Sequence, residues 1–313
     1  MKQKYFQSAY RLPRSRRDGW YTFFKVGFFT LLAVVIIGVY FSYDYWMFKL
    51  LISQHYAFTE TLDTLFEDAL GEGYPRGYFR DFDRMVIAVV TERIRGIDQD
   101  WYTNLRTPQR HRAIRETERA DAQRAFYEAL TDDTVYVLVP NISTGTRQFM
   151  VQNQDYLASY RNIVLDLRGN YGGLLLDFQR IASLFVERGN VIGHERTRLQ
   201  LLSSTSRSRA PRSEPAFDFD NIIILQDDRT ASAAESLIMA LTQNLDNVIT
   251  VGDTTFGKGI GQVTIRLTGG YAVSATVLVV EGPDGEHVHN IGIPPDRIYD
   301  GDDLIAYALN LIQ

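Results

Sequence analysis

The chain has 313 residues, no cysteine, 45% hydrophobic residues and a formal charge of −5. Residues 1 to 21 hold six Lys/Arg against Asp18 alone, so residues 22 to 313 carry −10, a balance that argues against a nucleic-acid partner. The lack of cysteine leaves no disulfides, and the roughly 265 residues beyond the apolar N-terminal stretch can bury a core without them.

The basic tail contains Lys2, Lys4, Arg11, Arg14, Arg16 and Arg17. It is followed by Val26 to Tyr43, eighteen residues without a charge. At helical rise they span about 27 Å, against a bilayer core of about 30 Å. One transmembrane helix is expected over 22–48, with Trp20 and Tyr21 before the apolar run and Tyr40, Tyr43, Tyr45 and Trp46 at its far end, as amphipathic rings at headgroup depth. The lipid bilayer is then the partner of residues 22–48. The positive tail, 1–21, stays cytoplasmic and the rest of the chain lies outside. A cleavable signal peptide fits less well, because the apolar run is long and SYDYWMFKLL after it has no small-x-small site.

Residues 49–131 read as a helical segment. Leu62, Leu65, Phe66 and Ala69 recur at helical spacing, as do Met85, Val86, Val89, Val90 and Ile94, with GEGYPRG (71–77) breaking between the two sets. Arg110 to Leu130 reads as one charge-rich helix with a solvated face.

From 132 to 313 the pattern changes to short strands alternating with helices, which is an α/β domain. VYVLV (135–139), NIVLDL (162–167), FDNIIILQ (219–226), NVITVG (247–252) and YAVSATVLVV (271–280) read as strands. LLLDFQRIASLFVE and ASAAESLIMALTQN read as helices. NIIILQ and NVITVG are continuous apolar runs, as central strands covered on both faces require. Residues 195–216, rich in Ser and Arg, read as a mobile surface hairpin or loop.

Two segments carry chemistry. In S232-A-A-E235 a serine stands at the start of a helix, and in F256-G-K-G-I-G-Q262 a lysine stands in a glycine-rich turn. A serine hydroxyl needs a base to become a nucleophile, and the five histidines form no recognisable triad motif, so lysine is the economical base. The serine also has a bland reading: Ser232 and Glu235 spell a capping box. Cap and nucleophile are compatible, because the amides at a helix start favour a developing oxyanion. LDLRGNYGG (165–173) adds a strand running into two glycines, Gly172 and Gly173, whose bare amides can approach a substrate carbonyl. GDTTFGKG nearly spells a phosphate loop, but Gly259 lacks the hydroxyl and the strand-like IGQVTIRL stands where a helix is required. No cofactor is called for.

On four motifs in order, the chain from Thr134 onward resembles the C-terminal processing, or tail-specific, serine proteases, as a member without the PDZ domain. The motifs are D166-L-R-G-N-Y-G-G173, S232-A-A-E235, F256-G-K-G259 with Gln262, and G292-I-P-P-D296. RMVIAVVTERIRGIDQDWYTNLRTPQ is similar to the segment that precedes the family's PDZ domain. The resemblance implies a crotonase/Clp-protease-like core and polypeptide substrates. It implies Ser232 as nucleophile, Lys258 as general base, Gln262 orienting the lysine, and the amides of Ala233 and of Gly172 or Gly173 as the oxyanion hole. It also suits a bacterial plasma membrane, with an extracytoplasmic catalytic domain and a possible homo-oligomer or envelope protein partner. A binding or scaffolding pseudopeptidase and a crotonase-like acyl-CoA enzyme are the alternatives.

As a base near neutral pH, Lys258 must fall from about 10.4 to about 7 or 8, roughly 4 kcal/mol against its charged form, which burial supplies. Phe256 and the adjacent glycines suggest the apolar setting, provided Asp253 points away. Gln262 lies four residues on, about 13 Å along an extended strand, so the turn must bend if the two side chains are to meet.

Overall fold

The computed structural model describes residues 16–58, 66, 79–98, 100–210 and 216–312. Most of the basic tail, the break at 71–77, and Leu62, Leu65 and Ala69 lie outside the described residues.

Helix α1 (Arg16–His55) is continuous through the apolar stretch. Its window Gly19–Tyr40 is long and apolar enough to cross a bilayer, and none of that window is buried against protein. Beyond Tyr40 the same helix enters the folded domain: Asp44, Phe48, Leu51 and Ile52 are buried. The exposed apolar run therefore ends earlier than the expected 48. Asp44 accepts hydrogen bonds from Thr268 N (2.8 Å) and Thr268 Oγ1 (2.6 Å), and Phe48 and Ile52 pack with Val86, Ile87, Val90 and Ile94 of α2 (Phe79–Asp98). Each such fully buried side chain contributes about 1.5–3 kcal/mol, so the last turns of α1 are part of the domain's core.

After α2 the chain forms β1 (Asn104–Arg106), α3 (Pro108–Ala122), β2 (Phe126–Ala129) and β3 (Thr134–Leu138). Two short helices, α4 (Thr144–Gln152) and α5 (Gln154–Leu157), lead to β4 (Asn162–Asp166) and α6 (Leu175–Ala182). Strands β5 (Val191–Thr197) and β6 (Ser204–Arg207) form a hairpin. The sequence continues as β7 (Asn221–Gln226), α7 (Ala233–Thr242) and β8 (Val248–Gly252). It ends in β9 (Ile260–Arg266), β10 (Ala272–Glu281), β11 (Arg297–Ile298) and α8 (Leu304–Ile312).

The strands make two sheets. One has six strands in the order β11-β8-β7-β4-β3-β2, parallel except at β2. Its apolar strands are covered on both faces: Ile222 and Ile224 of β7 join one buried cluster with Phe178 of α6 and Leu237 of α7, and Ile223 and Leu225 join another with Leu304 and Ala308 of α8. This is the pattern expected of central parallel strands. The other sheet is antiparallel, β1-β10-β5-β6 with β9 also on β10, and packs Val273, Ala275 and Val277 against α1 and α2.

Two expectations need correction. The charge-rich helix ends at Ala122, not Leu130, because Phe126–Ala129 pairs antiparallel with Val135–Leu138 and closes the sheet edge. Phe126 packs on Tyr136 and Tyr127 on Tyr156, with ring centroids 5.6 and 4.9 Å apart. Those long-range contacts outweigh the local helical pattern. Likewise the segment 49–131 is not wholly helical, since Asn104–Arg106 pairs with Ala272–Ser274. Of the hairpin or loop expected at 195–216, the structure shows the hairpin, made by the end of β5 and all of β6, and 211–215 lie outside the described residues. Between β1 and β2 the chain holds α3 alone.

Candidate active site

Three loops leave the C-terminal ends of the parallel strands β4, β7 and β8, where open α/β sheets place their sites. The first, after Asp166, is fixed by the polar residues of its motif. Arg168 pairs with the buried Asp166 at 2.6 Å, and Tyr136 Oη donates to the same carboxylate at 2.7 Å. Asn170 Nδ2 donates to Val139 O (2.8 Å) while its Oδ1 accepts from Gly172 N (2.9 Å). The second loop is laced to the first, with Thr230 Oγ1 donating to Leu167 O (2.9 Å) and Ala231 N to Asn170 O (2.8 Å). The third joins through Phe256 N, which donates to Thr230 O at 2.9 Å.

Ser232 stands at the end of the second loop with φ 58° and ψ −123°. A non-glycine residue there stores about 1–3 kcal/mol of strain, which surrounding contacts must hold. The chief contact is Glu235. Its Oε2 accepts from Ser232 N (2.7 Å), so the capping-box expectation is met on that side. The same carboxylate reaches much further. Oε2 also accepts from Lys258 N (2.8 Å), and Oε1 accepts from Thr255 Oγ1 (2.6 Å) and Gly257 N (2.7 Å). One fully buried carboxylate thus clamps the serine's turn to the lysine's turn.

Four of the six expected residues, Ser232, Lys258, Gln262 and Gly173, line a single cavity of about 570 Å³, with Arg106 and Tyr171 among the other walls. Ala233 is buried at the first position of α7, where helix geometry leaves the amide without an intrahelical acceptor. The two glycines divide their work. Gly172, at φ 95°, is pressed against Ser232: a Cβ there would lie 2.7 Å from Ser232 Cβ and 2.9 Å from Ala233 N. Its amide is taken by Asn170, so of the pair it is Gly173 whose amide makes no hydrogen bond among the described residues. A Cβ on Gly173 would overlap the Ile142 carbonyl.

The turn after Lys258 bends as required. Gly257 takes φ 84° and β9 begins only at Ile260, which brings Lys258 Nζ to 3.3 Å from Gln262 Oε1. Gln262 Nε2 is itself held by Tyr102 O (2.7 Å) and Ser274 Oγ (3.1 Å). The amide is therefore oriented with its oxygen toward the lysine. Burial pushes the Lys258 ammonium below its usual range and the Arg106 guanidinium pushes it further, while Asp100 and Glu235 oppose. Asp253 is exposed and stays clear. The expected apolar cover by Phe256 is not found, because that ring is 56% exposed. Tyr102 does the covering instead, with its ring centroid 4.8 Å from Lys258 Nζ.

Glu235's wider role, Tyr102 and Arg106 escaped the sequence reading. The only signal for Tyr102 was its place in the D-Q-D-W-Y run ahead of β1.

Residues 133–299 match the family described as Peptidase family S41. Among curated proteins, the carboxyl-terminal-processing protease of Synechocystis sp. is 33% identical over 145 residues, 46% of this chain and 32% of that protein. The carboxy-terminal processing protease CtpA of Bacillus subtilis is 34% identical over 136 residues, 43% of this chain and 28% of its own length. The match thus spans about a third of these relatives. Among solved structures, a lipoprotein from Streptococcus agalactiae superposes with a TM-score of 0.65 at 18% identity, covering 83% of this chain and 92% of that one. The photosystem II D1 C-terminal processing protease gives 0.61 at 16%, covering 83% and 93%. At such identities these two show a shared fold.

Proposed function

The chain belongs to peptidase family S41, and from that premise we propose that it is a membrane-anchored serine endopeptidase working through Ser232 and Lys258. The observation that carries the reading is the Glu235 clamp, which joins the strained serine turn to the turn of a lysine whose charge is disfavoured. In the proposed cycle Lys258 Nζ takes the proton of Ser232 Oγ as that oxygen attacks a peptide carbonyl. The oxyanion is met by the amides of Ala233 and Gly173. Lys258 returns the proton to the leaving amine, and water then releases the acyl group by the reverse proton route. Gln262, fixed by Tyr102 O and Ser274 Oγ, keeps the amine aimed along one direction. Gly172 serves by allowing the loop to touch Ser232 rather than as a donor.

The test is the full chain in detergent micelles incubated with casein as an unfolded substrate, with products read by mass spectrometry. New internal termini are expected. Retention of casein with no new termini would replace the peptidase reading by a binding one.

The anchoring and orientation are part of the proposal, supported by the unburied span Gly19–Tyr40 and the basic tail. Because the chain has no cysteine, a single introduced thiol reports its side of the membrane. An impermeant maleimide on intact bacterial cells is expected to label Asp284→Cys and not Ser8→Cys. Labelling of Ser8→Cys alone would invert the topology.

A further inference from the structure

The cleft holds more positive charge than a serine/lysine dyad uses. Arg106 leaves β1 partly buried and lines the cavity beside Lys258, and Arg110 reaches it from the first turn of α3. Neither guanidinium has an ion pair among the described residues. Arg106 makes one long hydrogen bond, Nε to Asn104 Oδ1 at 3.4 Å. The carboxylate that faces it is Glu118, two turns along α3 and beyond ion-pair distance. Burial and Arg110 both act against the charge of Arg106. A partly desolvated guanidinium without an ion-pair partner is costly, and a carboxylate delivered by a ligand relieves that cost in bidentate geometry.

The surroundings suit such an anion. Arg106 stands opposite Ala272 in the β1–β10 register, and Ser274, opposite Asn104, lines the same cavity with Thr264, their hydroxyls 3.2 Å apart. On the facing wall, α3 presents Arg110, Ala113, Ile114 and Thr117 to the cleft at i, i+3, i+4 and i+7, although no residue of this helix is buried. A helix that buries nothing of its own gains from a ligand laid against it.

We propose that Arg106 and Arg110 form a carboxylate-binding subsite of the cleft, which selects peptide substrates by a carboxylate placed on the β1–α3 side of Lys258. The inference rests on the peptidase reading above. The carboxylate comes either from the substrate's C-terminus or from an acidic side chain, and the shared chemistry is what the two arginines recognise.

The experiment measures binding of fluorescent peptides, by anisotropy, to the full-length Ser232→Ala protein in neutral detergent micelles. Peptides ending in a free acid are compared with the same peptides amidated, and amidated peptides carrying Glu are compared with those carrying Gln. At least one acid member is expected to bind about 10-fold or more tighter than its neutral twin. The advantage is expected to vanish in Arg106→Gln and Arg110→Gln, to survive in part in Arg106→Lys, and to shrink with salt. Discrimination in the first pair assigns the subsite to a chain terminus, and in the second to a side chain. Equal binding within both pairs by the protein with both arginines intact overturns the subsite. The two readings fail separately: casein cleavage by the parent without discrimination sinks the subsite alone, and discrimination without cleavage sinks the peptidase alone.

Discussion

Ser232→Ala and Lys258→Arg are each expected to lower kcat/KM on an unfolded protein substrate by at least about 10³-fold, and the double variant by no more than either single one. The serine variant removes the oxygen proposed to attack. The arginine variant puts a guanidinium in place of the amine, and since a guanidinium cannot give up its proton near neutral pH, the proposed base is lost. Groups that act in one proton transfer fail together, which is why the losses do not add. The pH dependence of the parent tests the same step. In the proposed mechanism Lys258 acts only when neutral, and burial and Arg106 depress its pKa. The rate constant kcat/KM should therefore fall as pH drops through that lowered value and level off above it. An unperturbed lysine would let the rate climb toward about pH 10. Initial-rate assays with the three variants, each checked for an unchanged Tm, decide the matter. Appreciable turnover by Lys258→Arg would remove lysine from the base role, and a limb still rising at pH 10 would mean that Lys258 keeps an ordinary pKa in the working enzyme.

What could be read in advance follows the range of the interactions involved. Strands β4, β7 and β8 were legible because burial on both faces leaves an unbroken apolar run in the sequence, as in NIIILQ. The placement of Ser232 at a helix start and of Lys258 in a glycine turn is legible because both signals coincide with residue type within a few positions. The Arg110–Leu130 segment misled because its charges repeat at helical spacing past the true end, and only the pairing of Phe126–Ala129 with Val135–Leu138 makes a strand there. Gln262 could be placed only conditionally, since its reach depends on the left-handed turn at Gly257. Tyr102 orients Gln262 through a backbone carbonyl, which no side-chain pattern announces. Glu235 is the sharpest case. Read locally it is half of a capping box, yet three of its four donors come from residues 255 to 258, some twenty positions later.

That arrangement makes Glu235 the residue whose loss should damage fold and site together. Glu235→Ala leaves Ser232 N, Lys258 N, Gly257 N and Thr255 Oγ1 facing a dry hole, each having given up water for this carboxylate. Stripping a buried polar network of its central acceptor costs about 3–5 kcal/mol, or a fall in Tm on the order of 10 °C for a domain of this size. Activity should suffer separately, because the strained turn of Ser232 and the turn of Lys258 lose their common tether, and a misplacement of about 1 Å costs about 10²-fold in rate. Glu235→Gln distinguishes the two effects. It preserves volume and one acceptor, but turns an NH₂ toward amide donors, so it should fold with a smaller Tm loss and still lose most of its kcat. Thr255→Val removes one donor of the four, and the hydroxyl that accepts from Ile293 N at 2.7 Å, and should fall between the parent and Glu235→Gln on both scales. Thermal unfolding and casein turnover on the same preparations measure both quantities. Parental kcat in Glu235→Gln would mean that the two turns hold their geometry without the clamp, and that the strain at Ser232 is borne by the loop contacts of Asn170 and Thr230 instead.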